Sequence, residues 1–119
     1  MHVLVDSLYV LYTASVTGHH VTASVYAGGV EQDSCTLQPC IEFVDTWETA
    51  SEAEIAEAVI DLHTNNGIFA EGAAAMTWAC ARKHLAANPA TAQGGVVVVC
   101  CGGNAAPTLL QSARALLDE

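Results

Sequence analysis

The pattern of hydrophobic and polar positions predicts helices through the second half of the chain. Ser51 and Glu54 form a capping box, apolar residues follow at helical spacing, and Gly67 stands where the pattern ends. A second stretch, rich in alanine, follows Glu71 and ends before Asn88 and a proline. A third apolar stripe closes the chain. The predicted helices cover residues 51–66, 72–87 and 106–117.

A run of valines predicts a strand over residues 96–101. Apolar residues without alternation are typical of a strand that is covered on both faces, as in a parallel sheet. The run ends in Cys101, Gly102, Gly103 and Asn104, and glycine lets the backbone approach a ligand closely. A tight connection between a strand and a helix explains the two glycines equally well. The expected fold class is α/β, a short parallel sheet flanked by helices.

The N-terminal part has a weaker pattern. Residues 1–17 fit a helical stripe, whereas their valines favour a strand, and of the two we expect a helix. We also expect an extended segment at 21–25, a short helix at 35–43 and a brief strand at 46–49. The apolar stretch near the N-terminus has no basic residue before it and is interrupted by Asp6, unlike a signal peptide. It is also too short to span a bilayer, so a cytoplasmic location is expected.

Composition narrows the possible functions. The chain has 119 residues, which is one domain, residues 1–119, with a net charge of −10 and only three basic residues. Such a charge disfavours binding to nucleic acid or to an anionic membrane surface. Hydrophobic residues make up 52% of the chain. We therefore expect some apolar surface to meet another copy or a complementing chain.

The five cysteines do not indicate a disulfide scaffold or a metal site. Their number is odd and they form no C-x-x-C motif. A zinc site from Cys35, Cys40 and the histidines 19 and 20 lacks a second pair at suitable spacing, so no metal is expected. A reducing compartment fits this usage of cysteine.

Three features occur together in one order. They are the capping-box helix, the segment Phe69-Ala70-Glu71-Gly72-Ala73-Ala74, and the valine run that ends Cys101-Gly102-Gly103-Asn104. This set resembles the C-terminal part of the catalytic domain of pyridoxal-phosphate-dependent serine/threonine dehydratases. The resemblance covers residues 27–104 and implies a partial tryptophan-synthase-β-like fold, fold type II. It also implies a lyase of amino-acid metabolism that converts a hydroxy amino acid to a 2-oxo acid and ammonia.

The resemblance also implies a set of cofactor-binding residues. Cys101 would face the pyridine nitrogen of pyridoxal phosphate as a neutral thiol, because apolar burial disfavours the thiolate. Glu71 would order the pocket, although an acid before a helix is also a common N-terminal cap. The glycines would leave clearance for the cofactor ring. The implied set is Cys101, Gly102, Gly103, Asn104, Glu71 and Gly72.

The family's Schiff-base lysine has no match in this sequence. The only lysine, Lys83, falls within the second predicted helix, and the family's glycine-rich phosphate loop is also unmatched. We therefore expect a fragment or truncated relative without catalytic residues of its own, inactive alone and completed by a lysine-bearing chain. The alternatives are a small α/β module that binds phosphate or a nucleotide, and a non-catalytic interaction subunit.

Overall fold

The computed structural model describes residues 11–13, 35, 38, 42 and 46–118. Two short strands, β1 (Leu11–Thr13) and β2 (Thr46–Glu48), pair in parallel with Leu11 opposite Thr46. Three α-helices follow, and a 3₁₀ helix stands between the second and the third. Their bounds are α1, Glu52–Asn66; α2, Gly72–Ala87; the 3₁₀ helix, Pro89–Gly94; and α3, Leu109–Leu117.

Helix α1 has both of the ends that the sequence predicts. The Ser51 hydroxyl accepts a hydrogen bond from the Glu54 N–H at 3.2 Å, and the Glu54 carboxylate accepts one from the Ser51 N–H at 2.7 Å. Gly67 has φ +66° and donates its N–H to the His63 carbonyl at 3.2 Å. The capping box and the left-handed glycine are therefore confirmed.

The hydrophobic core lies where α1 packs against α2 and α3. Many of its members are alanines, whose small side chains let helix backbones approach closely. Ile55, Met76 and Cys80 are the largest fully buried side chains among the described residues. A polar bridge joins α1 to α2 at the edge of this core, because Trp78 donates its indole N–H to Asp61 at 2.7 Å.

The predicted α/β fold, with a short parallel sheet built on residues 96–101, is wrong. These residues are irregular, and the regular elements of the described part of the chain are helices apart from the two three-residue strands, β1 and β2. A strand needs a neighbour for its ladder, and no strand in the described ranges pairs with the valine run. Val97 and Val99 are 84% and 66% exposed, so the expected cover on both faces is absent there.

The other local predictions are confirmed in some places and wrong in others. The helix at 72–87 is confirmed, and the strand expected at 46–49 is present as β2. The third helix begins at Leu109 rather than at residue 106, because Pro107 disfavours helical backbone at the residue before it. The helix expected over residues 1–17 is wrong at Leu11–Thr13, which is a strand, and the rest of it lies outside the described residues. Residues 21–25 and most of residues 35–43 also lie outside the described residues. Within 35–43, Gln38 and Glu42 are helical.

Candidate functional site

Glu71 holds the turn that follows the valine run. Its backbone N–H donates to the Gly102 carbonyl at 2.9 Å, and its carboxylate Oε1 accepts a hydrogen bond from the Asn104 N–H at 2.9 Å. We call these two bonds the glutamate clamp, and residues 101–104 the glycine turn. The clamp joins two segments of the chain that are about thirty residues apart, and both were singled out by the sequence.

The Glu71 carboxylate does not cap its own helix. Glu71 occupies the N-cap position of α2, yet its side chain makes no capping hydrogen bond there. Its negative charge still lies at the positive end of the helix dipole, which favours it. Because the carboxylate reaches across to Asn104 instead, the interpretation of Glu71 as a simple helix cap does not describe this side chain.

Gly102 lies against α2 and has a backbone conformation that favours glycine. Its φ is +137°, and a Cβ at this position would stand 3.4 Å from Glu71 Cδ and 3.5 Å from Ala74 Cβ. These distances are ordinary van der Waals contacts, so the backbone conformation is what favours glycine at this position.

A second contact lies next to the clamp and was missed by sequence reasoning. The Thr77 hydroxyl lies 3.3 Å from the Val99 carbonyl and 3.9 Å from Cys100 Sγ. Glu71, Ala74 and Thr77 are spaced by three, so they follow one side of α2. The signal that could have found Thr77 is this spacing, combined with a polar residue in a helix otherwise rich in alanine.

The other predicted site residues are placed differently. Cys101 and Gly103 are exposed, and a Cβ at Gly103 would meet nothing within 4 Å. Asn104 is exposed and is tied to Glu71 through its backbone. Gly72 is buried in the first turn of α2. The glycine turn thus presents a thiol and a bare glycine to open space, while Gly102 and Glu71 form its support.

Cys101 does not have the apolar burial on which its expected neutral state depended. It is an exposed free thiol, whereas its neighbour Cys100 is half-buried and faces Thr77. The buried thiol of the described chain is Cys80, whose pKa is raised to about 11 by burial and by the nearby Glu48 carboxylate. The expectation about burial therefore fits Cys80 and does not fit Cys101.

Lys83 lies far from the glycine turn. It follows Glu71 by twelve residues on α2, which corresponds to about 18 Å along the helix axis. Its ammonium pairs with Glu54 at 3.3 Å and donates to the Thr49 carbonyl at 3.1 Å. These contacts direct the lysine toward the first turn of α1, away from the clamp.

The ion pairs near α2 serve the contact between helices. Asp61 accepts hydrogen bonds from Trp78 at 2.7 Å and from Asn65 at 2.6 Å, and Arg82 lies 3.6 Å away. The Trp78 hydrogen bond is the main cause that lowers the pKa of Asp61, followed by Asn65. His84, which is buried, lies 3.1 Å from the Glu48 carboxylate and ties α2 to β2.

No protein-family model matches the chain, and no curated protein matches it either. Within the described ranges, no three or more His, Cys, Asp or Glu side chains are grouped so that they could hold a metal ion. No helix of that part is long and apolar enough to cross a membrane.

Proposed function

We propose that this chain supplies one wall of a pyridoxal-phosphate site in a serine/threonine dehydratase-like lyase. The observation that supports the proposal is the glutamate clamp, since Glu71 holds Gly102 and Asn104 through two hydrogen bonds of 2.9 Å. These residues belong to the two motifs that carry the resemblance. The proposal does not require the valine run to form a strand, because the clamp is complete without one.

The chemistry of the glycine turn fits a flat pyridine ring. The Cys101 thiol is a weak hydrogen-bond donor and could hold its proton toward the ring nitrogen. Gly103 leaves open space where any side chain would obstruct a ring. Pyridoxal phosphate, when bound, supplies an electron sink for removal of the substrate α-proton. In this proposal Cys101 and Gly103 contact the cofactor, and Glu71 positions them.

In this proposal, the residues that bind the cofactor phosphate and the lysine that forms the Schiff base come from outside these 119 residues. Glu71 places a negative charge beside the turn and already occupies the Asn104 N–H, which disfavours a phosphate there. The same contact gives no support to a phosphate- or nucleotide-binding function. Lys83 is engaged with Glu54 and Thr49, so a lysine on another polypeptide would complete the site. The substrate would be serine or threonine, and a reducing cytoplasmic setting would suit the free thiols of the described residues.

Equilibrium dialysis against pyridoxal phosphate tests this proposal in the full chain. Lys83→Arg removes the only lysine, and we expect it to retain the cofactor as well as the wild type does. Cys101→Ala should weaken retention by about fivefold, the factor typical of one hydrogen bond. Cys35→Ala is the matched control, since Cys35 is also an exposed free thiol, and should change nothing.

Three results would overturn the proposal. Loss of retention in Lys83→Arg would mean that the cofactor only forms an unspecific imine with that lysine. Equal retention in Cys101→Ala and Cys35→Ala would mean that the glycine turn is not the site. Absence of any retention by the wild-type chain would favour a non-catalytic interaction subunit.

A further inference from the structure

The segment Val99 to Asn104 runs along one side of α2 in the direction opposite to the helix. Val99 and Cys100 lie at Thr77, Gly102 lies at Ala74 and Glu71, and Asn104 lies at the Glu71 carboxylate. The six residue steps from Glu71 to Thr77 span about 9 Å along the helix. The three residue steps from Val99 to Gly102 can span at most about 10 Å. The two lengths match, so the segment can be fixed at both ends.

Thr77 supplies the fixed point at the end away from the clamp. Its single hydroxyl proton is directed to the Ala74 carbonyl at 2.6 Å, with the Val99 carbonyl farther away at 3.3 Å. The hydroxyl oxygen then has a lone pair for the Cys100 S–H at 3.9 Å. Cys100 is therefore held toward the helix. Cys100 is half-buried at this contact, whereas the next residue, Cys101, is exposed.

From this arrangement we infer that Thr77 is a positioning residue for Cys101. It acts through Cys100 and does not contact the cofactor itself. The effect of Thr77 on cofactor binding rests on the proposed function. The orientation of the two cysteines, however, can be measured without any cofactor.

Two substitutions separate positioning from simple stability. Thr77→Val keeps the shape of the side chain and removes the hydroxyl, whereas Thr77→Ser keeps the hydroxyl. In Thr77→Val we expect Cys100 to react with iodoacetamide about fivefold faster, the factor that one hydrogen bond contributes, as read by fragment ions that distinguish Cys100 from Cys101. Thr77→Ser should restore the wild-type rate. Circular dichroism should give equal helical content in all three proteins.

The cofactor is tested in the same proteins by dialysis against pyridoxal phosphate. Retention should fall by about fivefold in Thr77→Val and recover in Thr77→Ser. An unchanged Cys100 rate in Thr77→Val, or a Thr77→Ser variant as altered as Thr77→Val, would overturn the role of Thr77. If the wild-type chain retains no pyridoxal phosphate while the Cys100 rate changes as expected, the proposed function fails and the positioning by Thr77 stands.

Discussion

Gly102 lies in van der Waals contact with Glu71, since a Cβ at position 102 would stand 3.4 Å from the Glu71 carboxyl carbon. Its φ of +137° is also a conformation that side chains rarely adopt. We therefore expect Gly102→Ala to lower the free energy of unfolding by about 1–3 kcal/mol. Urea denaturation followed by circular dichroism measures this change.

Gly103→Ala is the control for that substitution. Position 103 opens onto space, with nothing within 4 Å of a Cβ, so its effect on stability should stay within about 0.5 kcal/mol. Equal losses in the two variants would show that the backbone conformation at position 102 is not what requires glycine there.

The Glu71 carboxylate is predicted to hold the glycine turn in place. Glu71→Ala removes the acceptor for the Asn104 N–H and should cost about 1 kcal/mol of unfolding free energy. Hydrogen exchange of the Asn104 amide should become faster in this variant. Glu57→Ala, at an exposed position of α1, should leave that amide unchanged, and an equally protected Asn104 in Glu71→Ala would contradict the clamp.

The contact between Asp61 and Trp78 predicts a dependence of stability on acid. The hydrogen bond from Trp78 lowers the pKa of Asp61 in the folded chain, so the unfolded chain takes up the proton more readily. The stabilisation is complete above the ordinary carboxyl pKa and is lost as the pH falls through the lowered one. Asp61→Asn should therefore be less stable than the wild type at neutral pH, with a difference that shrinks in acid. A difference independent of pH would exclude this ionisation as the cause.

Cys80 should be inert to thiol reagents in the folded protein. Burial raises its pKa to about 11, and its side chain is inaccessible, whereas Cys35 and Cys101 are exposed. Alkylation at pH 8 with detection by mass spectrometry should label Cys35 and Cys101 first and Cys80 only after unfolding. Early labelling of Cys80 would contradict the close packing of α1 against α2.

Local signals in the sequence predicted the helices better than they predicted the fold class. The capping box at Ser51 and the glycine at position 67 are decided by neighbouring residues, so both appear where expected. The valine run depends instead on strands elsewhere in the chain, and none in the described ranges pairs with it. Its hydrophobicity indicated burial, yet Val97 is 84% exposed.

The candidate site was predicted only in part, because residue type is a local signal whereas contacts between distant segments are not. Glu71 and the glycine turn were marked by residue type, and the structure brings them together. The spacing alone could not show that Gly102 lies against Glu71, or that Thr77 meets Cys100. Those contacts depend on the path of the segment along α2, which is a tertiary property.

The most direct test of the proposed site is an NMR titration of the Lys83→Arg chain with pyridoxal phosphate, with inorganic phosphate as the parallel titrant. Lys83→Arg is used because it removes the only lysine side chain that could form an unspecific imine. We predict that pyridoxal phosphate shifts the amide resonances of Cys101, Gly102 and Gly103, and that inorganic phosphate does not. Shifts with both titrants would indicate a phosphate site, and an unchanged glycine turn would contradict the proposed cofactor wall.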